Sequence, residues 1–370
     1  MPPAYLLSPL RTPGARRNGH LSGWHPVDLA AQVIDAVVDR SGADPARVDD
    51  VILGCVMQVG EQAVNVARNA VLASRTLPQT VPGTSIDRQC GSSQQALHFA
   101  AQAVMSGTMD LVIAGGVESM SRVPLGSSVQ LAAKAGMGHY MSGAIKARFG
   151  DAEFSQFTGA EMLAEKFSLK REALDAYALE SHRRAAAATA AGYVADELLP
   201  VPVRMADGSG EGLHTADEGI RADASPAALA GLKPLREAGV ITAGNASQIC
   251  DGASAVLVAS ERAVKALKVA PLARIHHLSV LGGDPVIMLD APIAATEAAL
   301  SKAGLSLADI DLFEVNEAFA SVPLAWLAAT GADPAKLNAQ GGAIALGHPL
   351  GASGTKLLAT LVHALHRRRG

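Results

Sequence analysis

Cysteine is scarce: Cys55, Cys90 and Cys250 are the only three in 370 residues. They form neither a C-x-x-C pair nor an even set, which argues against a disulfide framework or a zinc knuckle and fits a reducing cytoplasm. A basic excess is also missing. The 31 Lys and Arg against 35 Asp and Glu leave a net charge of −4, so nothing suggests a general surface for nucleic acid or anionic lipid. No stretch approaches the roughly 20 apolar residues of a membrane span. The N-terminal "MPPAYLLSPLRTPGARRNG" breaks its apolar run with proline and places its basic residues after it, the reverse of a secretory signal. What remains is a chain with 49% hydrophobic residues, long enough for two or more domain-sized units and a large core, whose partners are expected to be small molecules.

The clearest organisation is an internal repeat. "PVDLAAQVIDAVVDRSGADPARVDDVILGC", from Pro26, is echoed by "PIAATEAALSKAGLSLADIDLFEVNE", from Pro292. Each reads proline, amphipathic helix, Gly-rich turn, acidic pair, apolar strand. The first copy continues with a helix near 62–74, a strand in "VPGTSID", a helix after Cys90 and a strand in "DLVIAGG". The second continues with a helix in "NEAFASVPLAWLAAT", a strand region in "AKLNAQGG" and a last helix in "GASGTKLLATLVHALHRRRG". This alternation predicts mostly parallel sheets covered by helices. Residues 120–250, richer in charge, glycine and proline, read either as an inserted loop domain carrying substrate contacts or as an irregular surface linker.

Three short stretches carry possible chemistry. In "SIDRQCGSSQQALHFAAQ" a helix from about Ser92 places Cys90 at its N-terminus, where free N–H groups and the helix dipole favour a thiolate. Gly91 leaves room for a carbonyl substrate. A small buried residue at a strand–helix junction explains the same pattern. In "NAQGGAIALGHPLGASG" His348 precedes another helix start, which disfavours imidazolium and leaves a neutral base able to take a thiol proton. A turn-capping histidine is the alternative. "GASGTK" lacks the spacing of a phosphate loop. In "DLFEVNEAFAS" Asn316 could orient a water and Glu317 could hold Asn316 or His348, although Asn316 also fits a plain helix N-cap.

Taken together, "DRQCGSSQQA", "GGVESMSR", "ALESHRRA", "TAGNASQICDGASAVL", "EVNEAFAS" and "NAQGGAIALGHPLGASG" resemble the thiolase family, acyl-CoA acyltransferases of the acetyl-CoA C-acetyltransferase and 3-ketoacyl-CoA thiolase kind. The likeness runs over essentially the whole chain in the family's order. It implies an α/β fold of five layers, αβαβα, made of two related halves: residues 1–119 with 251–270, then 271–370, with 120–250 as the inserted loop domain. It implies that Cys90 is acylated, that His348 activates it and forms an oxyanion hole with a water held by Asn316, and that Glu317 belongs to the same catalytic group. Coenzyme A, a substrate and not a resident cofactor, would lie near Arg221, Ala243, Ser247 and Phe319. No metal is implied. A cytoplasmic homodimer or homotetramer in acyl-CoA metabolism, leaning to lipid degradation, is expected.

Two departures stand out. "LDAPIAA" places Ala291 where the family usually has glycine, which would narrow the channel and leaves substrate size open. The resemblance also implies a further strand bearing a Cys-x-Gly acid/base cysteine, which neither Cys55 nor Cys250 matches in context. A ketosynthase-type condensing enzyme and a non-catalytic acyl-CoA-binding relative are the alternative functions.

Overall fold

A computed structural model describes residues 2–369; Met1 and Gly370, the outermost ends of the two expected halves, lie outside the described residues. The strands are β1 (Ala4–Arg11), β2 (Ala15–Arg16), β3 (Asp50–Gly54), β4 (Gly83–Ile86), β5 (Leu111–Ser119), β6 (Val201–Pro202), β7 (Leu213–His214), β8 (Cys250–Ser260) and β9 (Ala273–Arg274). The main sheet runs β4-β3-β5-β8-β1-β9, with β2 paired to β8; β6 and β7 form a separate ribbon.

Helix α1 (Pro26–Ser41) begins where the proline signal places it. His25 caps its start and Gly42, at φ 65°, closes its end. Its apolar stripe, including Leu29, Val33, Ile34 and Val37, is buried against the sheet. Helix α2 (Val66–Ala73) is shorter than the expected 62–74, because Asn65, in the left-handed region, caps it four residues late with its side chain on the Arg68 N–H. Helix α3 (Ser92–Met105) covers the other face of the sheet through Ala96, Leu97, Ala100 and Val104. Both β5 and β8 are buried along almost their whole length, as strands covered on both faces must be.

The sheet is less parallel than the sequence pattern predicts. Only β4, β3 and β5 run parallel, whereas β5 with β8, β8 with β1, and β1 with β9 are antiparallel. The reason is topological. The chain leaves β5 at Ser119, makes the long excursion over 120–249, and returns as β8 beside β5, with Ser119 opposite Asp251. No right-handed crossover constrains that return, so the neighbouring strand comes back reversed.

The second copy of the repeat keeps its helices but not its ladder. Helices span Ala291–Ala303, Ser321–Thr330 and Ser353–Arg369. The expected strands in "DLFEVNE" and "AKLNAQGG" meet in one bridge, Phe313 to Leu337, with Phe313 N–H donating to Lys336 and Asn338 N–H to Phe313, both at 2.9 Å. Asn338 ends the ladder. Its φ of 45° turns the backbone away, and its side-chain amide takes the place of the next rung, bonding both Val315 N–H and Val315 C=O at 2.9 Å. The helix Ala291–Ala303 has no buried residue and is held to the helix Ser321–Thr330 by Trp326 Nε1 donating to Thr296 at 2.9 Å and by Ile293 packing on the Trp326 cluster.

Candidate active site

Cys90 stands in the turn between β4 and α3. The turn is tight: Gly91 N–H donates to Arg88 C=O and Ser92 N–H to Gln89 C=O, each at 3.0 Å, and Ser92 Oγ donates to Gln89 C=O at 2.6 Å. Gln89 has φ 48°, a strained value for a residue with a side chain. The backbone constraint thus falls on Gln89, while Gly91 adopts an ordinary φ of −90°. Cys90 is half-buried, unlike the fully buried Cys55 and Cys250. Its environment works against a resting thiolate: burial pushes the thiol up to about 12, the Glu118 charge adds to this, and a backbone N–H opposes it. A proton acceptor is therefore needed.

His348 sits in the loop before the helix Ser353–Arg369 and is buried. Ser353 Oγ donates to Pro349 C=O at 2.9 Å, so its contact of 2.6 Å with His348 Nδ1 is one in which the ring donates. That fixes the proton on Nδ1 and leaves Nε2 as the acceptor. Asn316 Nδ2 lies 3.2 Å from Nε2. Burial, followed by the nearby Lys356 charge, pulls the imidazole down to about 3, so it is neutral near pH 7. Lys356, itself buried, donates Nζ to Leu346 C=O at 2.5 Å and Gly347 C=O at 2.7 Å, setting the backbone just before His348. Gly347 has φ 79°, and a Cβ there would come within 2.5 Å of Cys250 Sγ.

The two loops are bound together by polar contacts and by apolar packing. Thr355 N–H donates to Ser93 Oγ at 3.1 Å, tying the histidine loop to the first turn of α3. Glu118, fully buried at the end of β5, accepts from Val56 N–H, Met57 N–H and Gly351 N–H at 2.9–3.0 Å and from Gln62 Nε2 at 2.7 Å. Cys90 packs in one apolar cluster with Val56, Met57, Met120, Val123 and Leu350. Sequence reasoning passed over Glu118, Ser353 and Lys356. The available signals were a carboxylate inside the apolar "VIAGGVES" strand and a lysine on the apolar face of the last helix.

Asn316 and Glu317 diverge in what they hold. Asn316 meets His348, and its Oδ1 is buried without a hydrogen-bond partner. Glu317 holds neither Asn316 nor His348, contrary to the sequence reading. Its carboxylate accepts from Tyr177 Oη at 2.9 Å, Ser181 Oγ at 2.7 Å, Asn338 Nδ2 at 3.0 Å and Ile344 N–H at 3.1 Å. Burial pushes it up from the usual carboxylate range while these four donors hold it back. Its place is that of an anchor beneath the histidine loop. A small cavity of about 10 Å³, room for about one water, lies beside the loop and is lined by Asn316, Ser353, Lys356, Thr360 and Glu314 among others; Glu314 Oε2 is buried there with no partner.

Of the residues expected at coenzyme A, Ser247 and Phe319 are brought together, with Ser247 N–H on Ala318 C=O at 2.9 Å and a bridge between Ala246 and Phe319. Phe319 is buried with its ring 5.6 Å from that of Phe157. Ala243 and Arg221 are exposed, Arg221 following Ile220 on the excursion, its N–H on His182 Nδ1 at 3.1 Å.

Comparison with known proteins decides what this arrangement belongs to. The family described as Thiolase, N-terminal domain, matches residues 4–262, and Thiolase, C-terminal domain, matches residues 269–370. The chain belongs to the thiolase family. A steroid 3-ketoacyl-CoA thiolase of Mycobacterium tuberculosis is 50% identical over 372 residues, covering 100% of this chain and 89% of the relative. A beta-ketoadipyl-CoA thiolase of Escherichia coli is 43% identical over 99% of this chain and 94% of its own. Among solved structures, human mitochondrial 3-ketoacyl-CoA thiolase superposes with a TM-score of 0.88 at 38% identity, over 100% of this chain and 93% of its own; the same protein is known in complex with CoA. The thiolase fold and acyltransferase class inferred from the motifs stand on these likenesses. No helix among the described residues is long and apolar enough to cross a membrane.

Proposed function

We propose that this thiolase cleaves a 3-ketoacyl-CoA by thiolysis through an acyl-enzyme on Cys90, and that the reverse Claisen condensation uses the same groups. The observation that carries the residue assignment is the hydrogen-bonded line Asn316–His348–Ser353, which presents an unprotonated Nε2 on a loop tied to the first turn of α3. The Asn316 amide turns from Nε2 to hold a water, and the freed His348 Nε2 takes the Cys90 thiol proton as sulfur adds to the 3-keto carbon. The carbon–carbon bond then breaks, leaving the acyl group on Cys90 and an acetyl-CoA enolate. The His348 N–H and the water held by Asn316 serve as donors to the developing oxyanion, a donor of this kind contributing about 3–4 kcal/mol. The proton taken by His348 returns to the enolate carbon, so the half-reaction balances. A CoA thiol next gives its proton to His348 and its sulfur to the acyl carbon; the acyl–Cys90 bond breaks, the Cys90 sulfur takes that proton back from His348, and the shortened acyl-CoA leaves.

Coenzyme A is the second substrate, along the excursion by Arg221, Ala243, Ser247 and Phe319, and no resident cofactor takes part. Residues 120–250 serve as the loop domain between the halves 1–119 with 251–270 and 271–370. We place the protein in the cytoplasm as a homodimer or homotetramer, acting on acyl-CoA esters of lipid degradation. Intact mass after mixing with a 3-ketoacyl-CoA without free CoA tests the route. An adduct equal to the shortened acyl group, absent from Cys90→Ser, is expected; an unmodified chain with intact ligand binding would instead mark a non-catalytic acyl-CoA binder.

A further inference from the structure

Three side chains distant in sequence converge where the excursion crosses the N-terminal turn. His20 lies in the turn after β2, His214 ends β7 and Glu218 follows it in the next loop. One ring nitrogen from each histidine and a Glu218 oxygen lie within 4.8 Å of one another. The Nδ1 atoms of His20 and His214 are 3.2 Å apart, with their rings nearly perpendicular at 84°. Two nitrogens bound to one tetrahedral ion at 2.0–2.1 Å stand about 3.3 Å apart, so the pair already has the spacing of two ligands.

The surroundings orient each group. His214 is buried, and its Nε2 faces Pro13 C=O at 3.2 Å. A carbonyl can only accept, so Nε2 carries the proton and Nδ1 turns a lone pair toward His20. Glu218 Oε2 accepts the His20 backbone N–H at 3.0 Å. Its neighbour Asp217 is clamped by buried Arg11, at 2.7 and 3.0 Å, and by Gly14 N–H at 2.7 Å, so the backbone bearing Glu218 is fixed. The His20 side chain is 45% exposed, which leaves one side open to solvent.

We propose that His20, His214 and Glu218 bind one divalent transition-metal ion, with water completing the coordination. Two imidazoles and a carboxylate suit zinc, nickel or copper rather than magnesium or calcium. Without the ion, His20 Nδ1–H donates to His214 Nδ1; the ion replaces that proton. Glu218 Oε1, which without the ion is 3.6 Å from His20 Nε2, turns to the Nδ1 side and closes by up to about 1.5 Å to reach a tetrahedral edge. The Arg16 guanidinium, 3.6 Å from Glu218 and largely exposed, turns outward. The site shares no residue with Cys90, Asn316 or His348 and ties the turn at 17–20 to the excursion, a structural bond that thiolysis itself does not use. Ligands 194 positions apart left no local motif to read.

Zinc titration of the chelator-stripped full chain by calorimetry tests this, in a Cys90→Ser background because a thiol also takes zinc. One equivalent is expected, with His20→Gln and His214→Gln each weakening binding at least about tenfold. At a hundredfold excess over Kd, zinc raises the folded-to-unfolded ratio of the parent about a hundredfold and leaves that of the double variant unchanged. His20→Gln, at a half-exposed position, keeps the test valid if His214→Gln fails to fold. Equal zinc affinity in His20→Gln and its parent, or fewer than half an equivalent bound, overturns the site. Loss of thiolysis in the Cys90-containing enzyme on chelation overturns its structural assignment.

Discussion

Glu317→Ala is expected to remove a large share of the stability of the fold beneath the histidine loop. The carboxylate accepts four hydrogen bonds. Asn338 Nδ2 keeps other acceptors in Val315 C=O at 2.9 Å and Tyr177 Oη at 3.1 Å. The Ile344 N–H and the Tyr177 and Ser181 hydroxyl protons are orphaned. Three unsatisfied buried donors at about 1–3 kcal/mol each give about 3–9 kcal/mol. Removal of a buried carboxylate and entry of water into the void place the result near the lower end, about 3–5 kcal/mol, a large part of a typical 5–15 kcal/mol. Glu317→Gln should cost less, because its amide can face Tyr177, whose hydroxyl can turn to accept, while its oxygen keeps Ser181 and Ile344. Urea unfolding at pH 7, followed by far-ultraviolet circular dichroism, reads both variants. A loss below about 1 kcal/mol in Glu317→Ala would refute the anchor, since it would mean that all three donors find other acceptors.

The other expectations concern the reacting groups. Limiting iodoacetamide should label Cys90 ahead of the buried Cys55 and Cys250, with a rate that climbs with pH and does not level off below about pH 10, because the thiol is raised to about 12; peptide mapping checks it, and a plateau near pH 7 contradicts it. His348→Ala should lose at least about a hundredfold in turnover with CoA affinity largely kept, while Asn316→Ala should be milder; steady-state kinetics decide both. The His348 value of about 3 lies below the ordinary 6.5, so the unfolded chain binds the extra proton and stability falls as pH drops from about 6.5 toward 3. The full difference corresponds to about 4–5 kcal/mol. A pH series of unfolding midpoints in which His348→Asn is no flatter than the parent would count against it.

The first half of the fold was readable because its elements are amphipathic in a local way: proline opens α1, glycine closes it, and β5 and β8 are apolar runs bounded by polar residues. The strand direction was not, since β8 is set antiparallel by an excursion whose length says nothing about its return. In the second half the apolar pattern around Phe313 suggests a strand, yet Asn338 substitutes a side-chain amide for a rung, which no periodicity reveals. At the site, Cys90 and His348 stood out as reactive residues among glycines. The neutral His348 was legible from its place before a helix start, whereas the surroundings of the Cys90 thiol were not, because Glu118 acts on it from 28 residues away in sequence.

The excursion between β5 and β8 leaves and re-enters the sheet at facing rungs, Ser119 opposite Asp251. Its two ends are therefore held at a fixed, short separation whatever lies between them. Doubling the length of such a loop costs only about 0.6 kcal/mol in closure entropy, and no residue from Ala132 to Phe149 is buried. Insertions, deletions or grafts there leave the register of nine paired residues in β5 and β8 untouched. The segment 132–149 can thus be exchanged while the paired strands that carry Glu118 and Asp251 stay in place, provided that Gly126 and Ser128, which bond Met57 beside Cys90, are kept.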